Sequence, residues 1–384
     1  MLNRKIRVLI VDDSAIVRKA LTDHLSADPE IEVVGTAIDP YVARDKILKL
    51  NPDVITLDIE MPRMDGLSFL KLIMLHRPMP VIIISSLTTV NSDKALEALQ
   101  AGAVDVMAKP SGSYSATANG AELCSKIKAA FQAKVRRRTG ETIFISKSTV
   151  AAPAGASPLA SIRPSITAVG PPAHRANGSG RNYNSKQLIL MGASTGGTEA
   201  LKAVLTKLSP DLPGICIVQH IPAHFSKAFA DRLNGQCAFE VREAKSGDVV
   251  RPGLALIAPG GHHMVLRKTA SGYLVELNDG PMVHHQRPAV DILFDSAVRA
   301  GAAPHSLALL LTGMGADGAA GMLRLKDSGA TTVAQDEASC VVFGMPREAI
   351  RMGAAQKILP LDQMHMCIER YSSEVAAPSG VAQP

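Results

Sequence analysis

The chain has no tryptophan, and phenylalanine, tyrosine and tryptophan together supply only 3% of its 384 residues. Proteins that grip single-stranded nucleic acid stack bases on aromatic faces, so this scarcity argues against that class. The five cysteines, Cys124, Cys216, Cys237, Cys340 and Cys367, are scattered, odd in number and free of any C-x-x-C pair. That spacing argues against a disulfide framework and against a structural zinc site. No apolar run reaches the roughly 18 residues needed to span a bilayer, so no membrane insertion is expected. Met1–Arg7 leads directly into a strand-like run without the long apolar core of a signal peptide, which predicts a cytoplasmic protein.

Excess charge is also missing from the parts that look folded. Residues 1–135 carry 16 basic and 16 acidic side chains, 136–186 carry 8 and 1, and 187–384 carry 17 and 18. All the excess positive charge therefore falls in the middle segment, which is rich in Ala, Pro, Ser and Gly and has little apolar periodicity. Such a segment buries too little surface to offset its chain entropy and reads as a flexible basic linker. A diffuse basic linker is a poor footprint for sequence-specific binding to DNA, so no nucleic-acid partner is expected.

Either side of it, strand and helix patterns alternate. Before the linker come short apolar runs at Ile6–Val11, 32–36, Val54–Leu57, Val81–Ile84 and 104–107, each followed by a segment of helical spacing. Five β-α repeats predict a parallel sheet, doubly wound with helices on both faces. After the linker, strands are expected at Leu188–Met191, Ile215–Gln219, Ser306–Leu311 and Thr331–Ala334. Helices are expected between them, and short hairpin strands across Leu254–Leu277. The expected organisation is a (βα)5 unit over 1–135, a linker over 136–186, a second doubly wound, mostly parallel α/β unit with a β-hairpin region over 187–373, and a frayed tail over 374–384.

In parallel α/β sheets the carboxyl ends of the strands bind ligands. Asp12 and Asp13 follow the first strand, Asp58 the third, Ser85 ends the fourth, and Lys109-Pro110 follows the fifth. Three carboxylates at one sheet edge repel one another, and a hard divalent ion such as Mg²⁺ relieves that repulsion. The same ion and Lys109 would neutralise a phosphoryl group in transit to Asp58, with Ser85 bonding a phosphoryl oxygen. One Asp after a strand is ordinarily a helix cap; five such features on successive strand ends are hard to ascribe to capping. Residues 4–135 resemble the response-regulator receiver family, with Val-Asp-Asp-Ser at 11–14, Leu-Asp-Ile-Glu-Met-Pro-Arg-Met-Asp-Gly at 57–66, Ser85 and Lys109-Pro110. The resemblance implies Asp58 as phospho-acceptor, Asp12 and Asp13 as metal ligands, Ser85 and Lys109 as phosphate contacts, and a histidine kinase as phosphodonor. One position departs from the pattern: Val106 stands where receivers usually carry an aromatic switch residue, so phosphorylation is expected but an aromatic relay is not.

The second unit opens with a strand running into Gly192-Ala193-Ser194-Thr195-Gly196-Gly197 and a helix. This matches the G-x-S-x-G pattern of an exposed nucleophilic serine, with the helix N-terminus offering N–H groups to an oxyanion. A glycine-rich turn of this kind cradles a phosphate equally well. The next strand end favours catalysis, since it carries His220, and a third strand runs into Thr312-Gly313-Met314-Gly315-Ala316-Asp317-Gly318. Together these residues make a general-base triad in which His220 takes the Ser194 proton and Asp317 orients the imidazole, with the Met314 N–H as an oxyanion donor. The order Ser, His, Asp differs from the Ser, Asp, His of α/β-hydrolases and points to another parallel-sheet fold.

Residues 187 to about 370 resemble the catalytic domain of the chemotaxis protein-glutamate methylesterases, the CheB family. The match rests on Met-Gly-Ala-Ser-Thr-Gly-Gly-Thr at 191–198, Gln-His-Ile-Pro at 219–222, Ala-Pro-Gly-Gly-His-His at 258–263, Arg-Pro-Ala-Val-Asp at 287–291 and Leu-Thr-Gly-Met-Gly-Ala-Asp-Gly at 311–318. The resemblance implies hydrolysis of glutamyl methyl esters, often with deamidation of glutamines, on methyl-accepting chemotaxis receptors. It maps the triad onto Ser194, His220 and Asp317, with Thr195 and Met314 beside it, and calls for no cofactor in the hydrolase.

The other histidines, His224 four residues after His220 and the doublets His262-His263 and His284-His285, allow a metal-dependent alternative, although no H-E-x-x-H pattern accompanies them. The doublets and Arg287 are expected to line the substrate groove or its rim. A second alternative is a receiver-gated binding protein without catalysis, but no basic helix-turn-helix output is visible. Domain order suggests that the unphosphorylated receiver partly covers the Ser194 site.

Overall fold

A computed structural model of the chain describes residues 4–86, 88–109, 116–135, 186–223 and 225–376. The expected linker up to residue 185, the end of the chain from 377, Pro110 and His224 lie outside the described residues.

The first unit alternates β1 (Ile6–Val11), α1 (Ala15–Ser26), β2 (Ile31–Ala37), α2 (Pro40–Leu50), β3 (Val54–Asp58), α3 (Gly66–His76), β4 (Val81–Ser85), α4 (Thr89–Ala101), β5 (Asp105–Ala108) and α5 (Ala116–Gln132). All strand pairs are parallel, in the order β2-β1-β3-β4-β5. Ser14, Asp39 and Asp65 set the starts of α1, α2 and α3, each side chain accepting a backbone N–H of the first turn. The strand order reverses between β1 and β3, which opens a crevice at their carboxyl ends. Asp12, Asp13 and Asp58 sit there.

The second unit comprises β6 (Leu188–Ala193), α6 (Gly197–Leu205), β7 (Gly214–Gln219), α7 (Phe225–Asn234), β8 (Glu240–Glu243), β9 (Val249–Val250), β10 (Leu254–Ile257), β11 (His263–Thr269), β12 (Gly272–Asn278), α8 (Val290–Arg299), β13 (Ser306–Leu310), α9 (Ala319–Asp327), β14 (Thr331–Gln335), α10 (Met345–Arg351), β15 (Lys357–Leu359) and α11 (Leu361–Ala376). Seven of its strands form a parallel sheet in the order β15-β14-β13-β6-β7-β10-β8, while β9, β11 and β12 make a small antiparallel sheet. Every residue of β6, β7 and β13 is buried, as expected for central strands with helices on both faces.

Two expectations are corrected. Leu254–Ile257 is no hairpin strand: it pairs in parallel with β7 and β8, and all four side chains are buried. A fully buried parallel strand lacks the alternation that separates it from a hairpin arm. At the other end, α11 runs on to Ala376, three residues into the expected tail.

The two units are packed together. Leu96 and Leu99 of α4 join Leu201 of α6 and Phe229 and Leu233 of α7 in one apolar cluster. Arg232 bonds Gln100 across the junction, and the Lys134 N–H and Nζ donate to the Val341 and Glu337 carbonyls at 3.2 and 2.9 Å. No helix among the described residues is long and apolar enough to cross a membrane.

Candidate active site and phosphorylation site

Ser194 lies one residue beyond β6, where the chain must turn sharply into α6. Two glycines make this arrangement feasible. Gly196 has φ +77°, and a Cβ there would lie 2.6 Å from Val341 Cβ. A Cβ on Gly313 would come within 2.6 Å of Ser194 Cβ, so only glycine lets the 312–317 loop lie against the serine. The loop is tied down from both sides: the Ser194 N–H donates to the Thr312 carbonyl at 3.0 Å, and the Thr312 hydroxyl to the Thr195 carbonyl at 3.0 Å. Gln219 Nε2 holds the Ser194 carbonyl at 2.9 Å.

Parallel pairing of β7 and β13 with β6 brings the other two residues alongside. His220 Nδ1 is 3.1 Å from Ser194 Oγ, and His220 Nε2 is 2.7 Å from Asp317 Oδ2. With the carboxylate on Nε2, the neutral ring carries its proton there and leaves Nδ1 free to accept from the serine. All three side chains are buried.

Asp317 is held by more than the histidine. Its Oδ2 and Oδ1 accept the N–H groups of Val290 and Asp291 at 2.7 and 2.9 Å. These open α8, whose N-cap, Ala289, has no side chain able to cap it. Asp317 thus caps a helix from another part of the chain and sits at its positive end. Burial pushes the Asp317 carboxyl up, but the bond and charge of His220 and the two backbone donors outweigh it, holding the group below its ordinary range.

The sequence reading missed Asp291 as part of this frame. It is buried, its Oδ1 accepts the Gly321 N–H at 2.6 Å and its Oδ2 lies 3.1 Å from His284 Nε2. Burial and the neighbouring Asp317 charge raise its carboxyl above the usual value. Of the histidine doublets, only His284-His285 line the cavity of about 290 Å³ that opens over Ser194. His263 is a buried brace between the Pro281 carbonyl and the Ala289 N–H, His262 pairs with Asp279, and Arg287 donates to the carbonyls of Asp279 and Gly280. His263 and Arg287 thus brace backbone and His262 pairs with a carboxylate, and none of the three lines the cavity, a distinction that needs three-dimensional neighbours.

Part of the cavity wall comes from the first unit. Glu122, Ser125, Lys126 and Ala129 of α5 cover it. The Thr195 hydroxyl donates to Asp105 Oδ2 at 2.6 Å, and Ser125 Oγ lies 3.8 Å from the Met314 sulfur. Asp105 also holds the buried Lys126 ammonium at 2.9 Å. Burial opposes the Lys126 charge, yet Asp105 and Glu122 raise its pKa overall.

At the crevice of the first unit, Asp12, Asp13 and Asp58 present carboxylate oxygens within 4.8 Å of one another. Lys109 Nζ stands 3.0 Å from Asp12 Oδ2 and 2.8 Å from Asp58 Oδ2. Burial raises the Asp58 carboxyl to about 6 despite the bond and charge of Lys109, with Asp12 adding to the rise. Three acidic groups against one ammonium are a hard-oxygen donor set short of positive charge, which fits Mg²⁺. Ser85 is buried at the end of β4, and its carbonyl accepts the Lys109 N–H at 2.8 Å. Val106 is a buried core residue of β5.

Fold and site together define a class: a receiver-type acidic crevice in one α/β unit, packed over a serine–histidine–aspartate relay in another. Residues 8–118 match the response regulator receiver domain family and residues 189–368 the CheB methylesterase family. Protein-glutamate methylesterase/protein-glutamine glutaminase 2 of Syntrophus aciditrophicus is 52% identical over 360 residues, covering 94% of this chain and 97% of that relative. Protein-glutamate methylesterase/protein-glutamine glutaminase 4 of Anaeromyxobacter dehalogenans is 48% identical, covering 97% and 96%. The crystal structure of the Thermotoga maritima CheB methylesterase catalytic domain is 35% identical, covers 48% of this chain and 97% of that one, and superposes with a TM-score of 0.47. The chain belongs to the CheB protein-glutamate methylesterase/protein-glutamine glutaminase family.

Proposed function

We propose that this protein hydrolyses glutamyl methyl esters, and deamidates glutamines, on methyl-accepting chemotaxis receptors, under control of phosphorylation at Asp58 by a histidine kinase. The observation that carries the chemistry is the relay from Ser194 Oγ through His220 to Asp317, at 3.1 and 2.7 Å. Ser194 attacks the side-chain carbonyl as His220 Nδ1 takes its proton. The Met314 and Thr195 backbone N–H groups receive the developing oxyanion. His220 then protonates the departing methanol, or ammonia from a glutamine. Water, activated by the same imidazole, releases the carboxylate.

Asp12, Asp13 and Asp58 would hold Mg²⁺, which when bound supplies positive charge to the phosphoryl oxygens. Asp58 is the acceptor, Lys109 balances its charge, and Ser85 bonds the transferred group. Regulation is supported by what the receiver touches: Asp105 engages Thr195, and α5 roofs the cavity. Asp105 lies beside Val106 on β5, which runs directly into Lys109, so β5 itself links the phosphorylation crevice to the hydrolase without an aromatic relay. The receiver is assigned to residues 1–135, the linker to 136–186 and the hydrolase to 187–376.

Methanol release from methylated receptor, with and without a small phosphodonor, tests this reading. Wild type releases methanol faster with the donor, and Ser194→Ala releases none under either condition. Methanol release by Ser194→Ala would overturn the mechanism.

A further inference from the structure

Val283 and Gln286 exchange backbone hydrogen bonds of 3.1 and 2.9 Å around His284 and His285, which sit at φ +52° and +61°. Positive φ at both central positions is the geometry of a type I′ turn, which Asn-Gly suits best. Histidine enters this region more readily than most residues, but at a steric cost that glycine does not carry. Among the described residues only Asn51, Arg63 and these two histidines are non-glycine residues with positive φ. The consecutive pair falls on the wall of the Ser194 cavity. Backbone cost of this kind persists where side chains are needed at that spot.

The two imidazoles are placed differently. His284 is anchored to Asp291, whose own N–H holds Asp317, so the turn is fastened to the frame of the relay. His285 is exposed and makes no side-chain hydrogen bond among the described residues. The cavity wall from the hydrolase otherwise offers few polar side chains outside the relay, namely Thr195 and Gln286.

Building on the hydrolase reading above, we propose that the His284-His285 turn reads the substrate. His284 fixes the turn, and His285 donates a hydrogen bond to a carbonyl or carboxylate oxygen of the receptor segment flanking the reacting glutamyl group. Either neutral tautomer, and the protonated ring, offers an N–H for this contact.

The test compares full-length wild type, His285→Gly and Ser194→Ala in methanol release from methylated receptor, hydrolysis of p-nitrophenyl acetate, and thermal melting. For His285→Gly, relief of the positive-φ cost raises the melting temperature by about 2 °C. Meanwhile kcat/KM on the receptor falls about tenfold, mainly through KM. That fall is at least about fivefold larger than the fall on p-nitrophenyl acetate, which has no flanking chain to read. Equal losses on both substrates, no loss on the receptor, or a lower melting temperature would each overturn the proposal. Should Ser194→Ala retain both activities, the hydrolase reading itself fails, independently of the outcome at His285.

Discussion

Replacing Asp317 by Asn tests the relay and the fold in one step. The carboxylate Oδ2 accepts both His220 Nε2 and the Val290 N–H, while Oδ1 accepts the Asp291 N–H. An amide has one acceptor oxygen, so one side must face an N–H with its own NH₂. If the NH₂ takes the Oδ2 position, it donates to Nε2, the ring proton moves to Nδ1, the imidazole points an N–H at Ser194 where it needs a lone pair, and the Val290 N–H faces a donor as well. If it takes the Oδ1 position, it opposes the Asp291 N–H in a buried place, and the neutral oxygen left facing His220 no longer stabilises the imidazolium. The first outcome disables the base, and a wrong-tautomer histidine of this kind costs about 10⁴ in kcat, or about 5.5 kcal/mol. Either placement leaves a buried N–H of α8 unpaired, which costs about 1–3 kcal/mol of stability. For a unit of this size each kcal/mol lowers the melting temperature by about 2–4 °C.

The sign of the pH effect follows from the lowered Asp317 carboxyl. Its contribution to stability is present above the ordinary carboxyl range near pH 4 and is lost as pH falls through the lower folded value. Wild type therefore loses stability on acidification in part through this group, and the Asn variant, with nothing to titrate there, shows a shallower acid limb. Methanol release and thermal melts across pH 3–7 measure both effects. An Asn variant that keeps more than about a tenth of wild-type kcat would refute the assigned role of the relay, and one that melts like wild type would refute the capping argument.

Gln100→Ala combined with Lys134→Ala removes polar contacts between the units at about 0.5–1.5 kcal/mol each. Basal methanol release should then rise about five- to tenfold without a phosphodonor, and unchanged release argues against occlusion. Because the Asp58 carboxyl is raised to about 6, its stabilising contribution is present below its unfolded value near 4 and lost as pH rises through about 6. Without divalent ions, urea melts should find the receiver more stable at pH 5 than at pH 7.5, and Asp58→Asn should remove the difference; persistence of the difference in the Asn protein assigns it to another group. Chelation with EDTA should abolish stimulation by a phosphodonor while leaving basal methanol release intact. Loss of basal release on chelation would favour a metal-dependent hydrolase.

Much of this site is legible in the chain because its signals are local. A serine between glycines at a strand end, a histidine one residue beyond the next strand, and acids after β1 and β3 each follow from periodicity of two or 3.6 and from turn chemistry over a few residues. Those signals placed strands of both parallel sheets and put the candidate relay and crevice residues at strand ends. Fold packing alone decided the rest. Asp317 caps a helix whose first residue lies 27 positions earlier in the chain, and Asp291 and His284 join that frame only because α8 and α9 pack together. β10 enters the main sheet although its short apolar run reads like a hairpin arm. Asp105 meets Thr195 across 90 residues of chain. Such partners are chosen by which surfaces bury each other, and no window of sequence short enough to carry a periodicity contains both sides of those contacts.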